Sequence, residues 1–242
     1  MQINIAYLYP NLLNIYGDRG NIIAFTKRCQ WRGIDVNTFE LKIGDVIDPE
    51  KYDFYFIGGG QDQQQIAVSY ELQKQKHAFQ QAAEDGAVFL AICGGYQLLG
   101  HYYKPHKGDD LKGISLLDVY TVAGHNRFIG NVVIKTDFPL GKANTLTGFE
   151  NHSGMTYLEA GTVPMGTAIT GNGNNGKDKT EGARKRNVFG TYLHGSFLPK
   201  NPHFTDYLIK LCLERKYGQV ELAEIDDGFE WLAHNKAVKF KY

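Results

Sequence analysis

Residues 87–95 read Ala-Val-Phe-Leu-Ala-Ile-Cys-Gly-Gly. Six apolar residues in succession suit a strand buried on both faces, as in parallel sheets. The run stops at Cys93, and two glycines open a helical stretch around Tyr96–Leu99. A cysteine between a buried strand and a helix, on a Gly-rich turn, has the layout of a nucleophile elbow. The sharp turn presents the side chain over the C-terminal edge of the sheet. Free N–H groups at the start of the helix favour a thiolate over a thiol.

Upstream, the same rhythm repeats. Ile3–Tyr9 and Asp35–Leu41 read as strands around a helix over Asn21–Arg32, which Gly33 ends. Tyr52–Ile57 is a nearly continuous β run that breaks at Gly58-Gly59-Gly60. One polar helix is expected from Gln64 to Asp85, stopped by Gly86. Strand and helix alternate, so the fold class is α/β, a doubly wound and mostly parallel sheet flanked by helices. Downstream, strands are expected at Val119–Val122, Phe128–Ile134, Leu146–Glu150 and Val188–Leu193. A turn is expected at Gly171–Gly176 and a closing helix over Pro202–Lys216, and the pattern after Gly218 is weak. No linker or repeat divides the chain, so residues 1–242 are expected to form a single domain.

Composition narrows the function classes. The chain has 242 residues, 43% hydrophobic and 21% charged, as an ordinary globular protein does. Its 26 basic and 26 acidic residues cancel, which leaves no overall charge surplus for nucleic acid. No signal-like leader or membrane-spanning run is present, and the three cysteines, Cys29, Cys93 and Cys212, form no CxxC pair. That pattern predicts a cytoplasmic protein without disulfides or a metal site. Cys29 and Cys212 fall inside amphipathic helices and read as small buried hydrophobes.

A nucleophilic cysteine needs a base. His194 follows the strand Val188–Leu193 and precedes Gly195, a position that points into the crevice of an α/β sheet. By position alone it is equally a surface or capping histidine. The Gly58–Gly60 loop carries neither GxGxxG nor GxxxxGK[ST]. Its N–H groups, with that of Gly94, suit an oxyanion hole, although the loop alone is also consistent with a plain tight turn.

At this point the residues resemble a family. Ala91–Gly100 (AICGGYQLLG), the triple-glycine loop and Thr191–Gly195 (TYLHG) are similar to class I, triad-type glutamine amidotransferases, and more narrowly to their CobB/CobQ-like branch. Six segments in order extend the likeness over most of the chain. They are LNIYGDRGNIIAF (13–25), FIGGGQDQQQ (56–65), AICGGYQLLG (91–100), HNRFIGNVVI (125–134), GFENHSG (148–154) and TYLHGSFLPKN (191–201). Together they resemble glutaminase subunits of lipid II isoglutaminyl synthases, the GatD type.

The resemblance implies Cys93 as nucleophile, His194 as proton shuttle, Gly60 and Gly94 as oxyanion hole, and Arg127 as the group that binds the glutamine α-carboxylate. Gln97 is implied as a further substrate contact. A guanidinium fork matches a carboxylate, although sequence alone reads Arg127 as a solvated arginine. His152 reads as a structural hydrogen-bonder. The implied partner is a Mur ligase-like synthetase subunit of the MurT type, which carries ATP and Mg and acts on lipid II. This chain itself needs no cofactor. Two departures from the broader class stand out. Ala91 replaces a common glycine, and His194-Gly195-Ser196 lacks the H-x-E acid. The in-chain machinery is therefore read as a Cys–His dyad, with the partner expected to raise activity and an acid supplied from its side. The alternatives are a CobB/CobQ-like subunit serving another carboxylate, a non-catalytic regulatory module, and a free-standing cysteine hydrolase.

Overall fold

The continuous apolar runs lie in the middle of a six-stranded sheet in the computed structural model, which describes residues 1–240. The first half of the chain contains β1 (Gln2–Leu8), α1 (Arg19–Gln30), β2 (Asp35–Leu41), β3 (Phe54–Ile57), α2 (Asp62–Lys74), α3 (Lys76–Glu84), β4 (Val88–Ile92) and α4 (Gly94–Leu99). The second half contains β5 (Tyr102–Lys104), β6 (Leu111–Lys112), β7 (Val119–Lys135), β8 (Thr145–Leu158), β9 (Gly166–Thr170), β10 (Thr180–Glu181), β11 (Ala183–Lys185) and β12 (Val188–Thr191). It closes with α5 (Pro202–Tyr217) and α6 (Gly228–Lys239).

The first sheet runs β11-β12-β4-β3-β1-β2. Every pairing from β12 to β2 is parallel, and β11 adds an antiparallel edge. Every residue of β3 and β4 is buried, which explains why their sequences do not alternate. The chain winds outward from β1 to β2, then returns to β3 on the other side. Such a reversal leaves a crevice beyond the C-terminal ends of the strands. The loops after β1, β3 and β4 all open at that edge.

A second, largely antiparallel sheet has the order β10-β9-β7-β5-β6, with β8 also paired to β7. The two expected strands around residues 119–134 are one, β7, whose register against β8 shifts between Ala123 and Phe128. The extra residues bulge outward and carry Arg127. β8 likewise continues through the glycine-flanked Asn151–Gly154 stretch, where a strand end was expected.

Two other expectations are corrected. The single helix over 64–85 is broken at Gln75, which leaves helical geometry at φ −113° and ψ 14°. Its side chain turns to the loop before β3, accepting from Ile47 N at 2.6 Å and donating to Asp45 O at 2.8 Å. The weak C-terminal pattern hides α6. That helix is held by polar anchors rather than an apolar stripe: His234 bonds Lys200 O and Thr145 Oγ1. At its start, Asp227 meets the buried Arg28, which also binds Asp206.

Candidate active site

Cys93 sits where β4 hands over to α4, with φ 50° and ψ −106°. A non-glycine residue is strained in that region, and such strain is held only where the surroundings fix it. Cys93 N donates to Thr191 O at 2.8 Å, and its carbonyl accepts from Gln97 N at 3.0 Å. The close packing of α4 on β3 depends on Gly95. A Cβ there would stand 2.7 Å from Ile57 O and 2.8 Å from Gly58 O, both backbone atoms. The side chain of Cys93 lines a cleft of about 750 Å³, together with Gly60, Gln65, Gln97, Arg127 and His152.

His194 lies just beyond β12, and a two-way backbone bridge to Phe149 on β8 fixes it, at 2.8 and 3.2 Å. Its side chain is fully buried, and the Tyr16 ring packs edge-on at 5.1 Å between centroids. Neither ring nitrogen has a hydrogen-bond partner. Burial alone would push the imidazole toward neutrality. The negative charges of Cys93 and Asp18 outweigh it and raise the pKa to about 10. The site therefore favours the imidazolium form of His194.

Asp18, in the loop between β1 and α1, places a carboxylate near His194 that the sequence reading did not single out. Its carboxylate is fully buried, with Oδ1 3.7 Å from His194 Nδ1. That distance is an ion-pair contact, longer than a formed hydrogen bond. The other oxygen accepts from Gly59 N at 2.6 Å. The dyad reading rested on the residues that follow His194. The nearby carboxylate instead comes from the opposite end of the chain, inside the Leu13–Phe25 segment. Its place after β1, at the C-terminal edge of the sheet, was the one signal that could have marked it.

The Gly58–Gly60 loop follows β3 and meets the elbow directly. Gly95 N donates to Gly58 O at 3.1 Å. A Cβ on Gly94 would lie 3.2 Å from Gly60 N, so these two residues adjoin at the cleft. Gly59 N is committed to Asp18, whereas Gly60 lines the cleft. Gly94 begins α4, where first-turn amides lack intrahelical acceptors.

Arg127 projects from the β7 bulge, exposed at the cleft mouth. Its Nε donates to Asn151 Oδ1 at 2.6 Å, and Nη2 reaches toward the Tyr16 hydroxyl. Gln97 lines the cleft, but both ends of its amide are engaged. Oε1 accepts from Gln65 Nε2 at 3.0 Å, and Nε2 donates to the Tyr192 hydroxyl at 3.1 Å. His152 stacks on Tyr192 at 3.6 Å and donates from Nδ1 to Gly154 O at 2.8 Å. Burial lowers its pKa to about 4, so it is neutral near pH 7 and does not serve as an acid there. Glu181, also absent from the sequence reading, is fully buried behind β12. It accepts from Thr191 Oγ1 and Tyr192 N, and burial raises its carboxyl to about 7. It props the strand end that delivers His194. Among the described residues, no group of three or more His, Cys, Asp or Glu side chains is placed to hold a metal ion.

Comparison with known proteins bears on this arrangement. Residues 4–202 match the model of the CobB/CobQ-like glutamine amidotransferase domain. The chain is 43% identical to a Staphylococcus aureus protein named lipid II isoglutaminyl synthase (glutamine-hydrolyzing) subunit GatD, over 95% of this chain and 92% of that one. It is 39% identical to the Streptococcus pneumoniae protein of the same name, over 93% and 86%. Among solved structures, a glutamine amidotransferase from Thermotoga maritima superposes with a TM-score of 0.56 at 15% identity. That match covers 97% of this chain and 90% of the other, and it speaks to the fold alone.

Proposed function

Because the chain belongs to the CobB/CobQ-like glutamine amidotransferase domain family, we propose that it works as the glutamine-hydrolysing subunit of a lipid II isoglutaminyl synthase, with Cys93 and His194 as its chemical centre. The observation that carries the reading of the centre is Cys93 itself. A strained cysteine at a strand-to-helix turn opens onto a cleft beside a fully buried histidine.

The reaction then runs in two halves. The Cys93 thiolate attacks the side-chain carbonyl carbon of glutamine, and the carbonyl electrons move onto oxygen. Backbone N–H groups of Gly60 and Gly94 receive that oxyanion. His194, starting as imidazolium, gives its proton to the departing nitrogen, and ammonia leaves a γ-glutamyl thioester on Cys93. Neutral His194 next takes a proton from water as it adds to the thioester. Collapse releases glutamate and restores the thiolate–imidazolium pair. Arg127 would hold the α-carboxylate of glutamine at the mouth. Gln97, tied to Gln65 and Tyr192, would shape the wall beside it.

In this reading, ammonia passes to a Mur ligase-like partner of the MurT type. ATP and Mg on that subunit would activate the α-carboxylate of D-glutamate in lipid II, and amidation would give D-isoglutamine for peptidoglycan. No ATP-site motif stands in this sequence, which supports leaving that step to the partner. Among the described residues no helix is long and apolar enough to cross a membrane. We place the pair in the cytoplasm, where ATP is supplied.

The test is covalent labelling. A glutamine-analogue electrophile should modify Cys93 and spare Cys29 and Cys212. Burial raises the Cys29 thiol to about 12 and the Cys212 thiol well above its usual range, so neither supplies thiolate. Full glutaminase activity in Cys93→Ala would refute the assignment.

A further inference from the structure

We propose that Gln65 is a third donor at the oxyanion site: its side-chain amide N–H stands with the backbone N–H groups of Gly60 and Gly94 and serves the oxygen that becomes negative when Cys93 attacks glutamine. The inference deepens the glutaminase reading given above and rests on it.

The first observation is a convergence of nitrogens at Gly94. A Cβ on that residue would lie 2.1 Å from Gln65 Nε2 and 3.2 Å from Gly60 N. The side-chain amide and the loop amide therefore approach the same side of the residue that follows Cys93. Gly94 begins α4 with an ordinary helical backbone and no positive φ, so conformation does not demand glycine there. Space does, because any other side chain would displace the Gln65 amide.

The second observation is that Gln65 has a hydrogen to give. It stands one turn into α2, 3% exposed, yet lines the same cleft as Cys93. Its Nε2 donates to Gln97 Oε1 at 3.0 Å and, among the described residues, makes no other hydrogen bond. An amide nitrogen carries two hydrogens, and this bond uses one. A donor left over in a buried position beside a reacting carbon is what stabilises a developing negative charge.

The third observation fixes which way the amide faces. Gln97 Nε2 donates to the Tyr192 hydroxyl at 3.1 Å, the hydroxyl lies 2.7 Å from Thr156 Oγ1, and Thr156 Oγ1 lies 2.7 Å from Thr121 Oγ1. All of these side chains are buried. Having accepted from Gln97, the phenol gives its own proton to Thr156. The chain then runs in one direction, from the cleft inward. Such a relay holds each amide in one sense. Gln97 turns its carbonyl toward Gln65, and Gln65 turns its NH₂ toward Gly94.

The experiment compares wild type, Gln65→Leu, Gln65→Glu and Cys93→Ala as full-length chains with the synthetase partner present. Two rates are read on each, glutamine hydrolysis and alkylation of Cys93 by iodoacetamide. Alkylation forms the S–C bond as iodide leaves the same carbon, so no oxyanion arises. Loss of one oxyanion donor costs about 10²–10³ in kcat. We expect Gln65→Leu to lower kcat by about 10²-fold, with KM for glutamine and the alkylation rate each within about threefold. Gln65→Glu at pH 8 should fall at least as far, because a carboxylate oxygen then faces the developing charge. Wild type gives a reading that needs no variant. When the Cys93 thiolate adds to a γ-aldehyde analogue of glutamine, the S–C bond forms and the carbonyl electron pair moves onto an oxygen held by the same donors. Nitrogen-15-edited NMR should show a Gln65 side-chain amide proton moving downfield on that addition. A folded Gln65→Leu with kcat within threefold of wild type would overturn the proposal, as would alkylation that falls in step with kcat or an unmoved Gln65 signal in the adduct. A fully active Gln65→Glu would show that the carbonyl faces Gly94, and overturns it too. An inactive Cys93→Ala alongside a fully active Gln65→Leu removes only Gln65. An active Cys93→Ala removes the reading beneath it.

Discussion

Arg127 and Tyr16 meet across the mouth of the cleft, with the guanidinium Nη2 3.4 Å from the phenol oxygen, although 111 residues separate them in the chain. The contact closes a ring of groups around the entrance: the Tyr16 ring leans on His194, and Arg127 Nε is bound to Asn151. The Nη2 contact is long and weak, so a substrate carboxylate can replace it at little cost.

If Arg127 takes the α-carboxylate of glutamine, Arg127→Ala should lower kcat/KM by about 10²-fold, the scale of a charged hydrogen-bonded pair. Because Arg127 is exposed on a bulge, the melting temperature should stay within a degree or two of wild type. Arg127→Lys should recover only part of the loss, since an ammonium lacks the fork. Saturation kinetics unchanged from wild type would rule the role out.

Gly95→Ala should damage both stability and chemistry. The added methyl would press on the carbonyls of Ile57 and Gly58, which are backbone and cannot rotate away. Overpacking of this kind costs about 1–3 kcal/mol. The movement that relieves it pushes α4, and Cys93 with it, away from the Gly58–Gly60 loop. Thermal melting and the rate of Cys93 labelling should both drop. A variant that labels at the wild-type rate would show that the close contact does not set the elbow.

Stability should fall on acidification. Burial holds His152 and His203 at about 4, against about 6.5 when unfolded, so between these values the unfolded chain binds more protons. Their contribution is complete above pH 6.5 and is lost as the pH falls toward 4. His234, lowered in the same direction, adds to this. Glu181 opposes it. Its folded carboxyl keeps a proton up to about 7 and releases it near 4.5 when unfolded, so its contribution is present below 4.5 and lost as pH rises through 7. His194 likewise contributes below 6.5 and loses that contribution as pH rises through about 10. Melting temperatures should therefore rise from pH 4 to about 6.5 and decline above it as the His194 contribution is lost, and Glu181→Gln should steepen the rise. A shallower slope in that variant would contradict the buried proton on Glu181.

The synthetase partner should accelerate glutamine hydrolysis without being required for it. The chain already brings Asp18 to His194, so ammonia release from the lone chain should be measurable. The entrance residues Arg127 and Tyr16 are solvent-exposed, and a subunit docked over them would order the loop and exclude water. Parallel ammonia assays on the lone chain and the complex decide this. Equal rates would remove any activating role.

The parts of the molecule legible in sequence share a cause. Each of β3, β4 and the Gly-rich turns is determined by its own residues: unbroken apolar runs for burial on both faces, and glycines where backbones touch. Cys93 and His194 could be picked out because they end such runs. Asp18 could not be chosen in the same way, since its meaning depends on β1 lying beside β3 and on Ser196 fastening its loop. α6 escaped detection for a related reason. Its attachment runs through His234 and Asp227 to polar atoms elsewhere, and polar anchors leave no periodic trace. The break at Gln75 is a tertiary event too, made by a side chain that bonds a distant loop.

The left-handed backbone of Cys93 means that the proposed nucleophile sits where the fold works against itself. A residue held at φ 50° and ψ −106° costs about 1–3 kcal/mol, and glycine would adopt it freely. Cys93→Gly should therefore give a protein that cannot form a thioester and yet melts a few degrees above wild type, a readout obtained from paired thermal denaturation curves. If Cys93 is the nucleophile, thermal robustness and ammonia release pull in opposite directions at this one position.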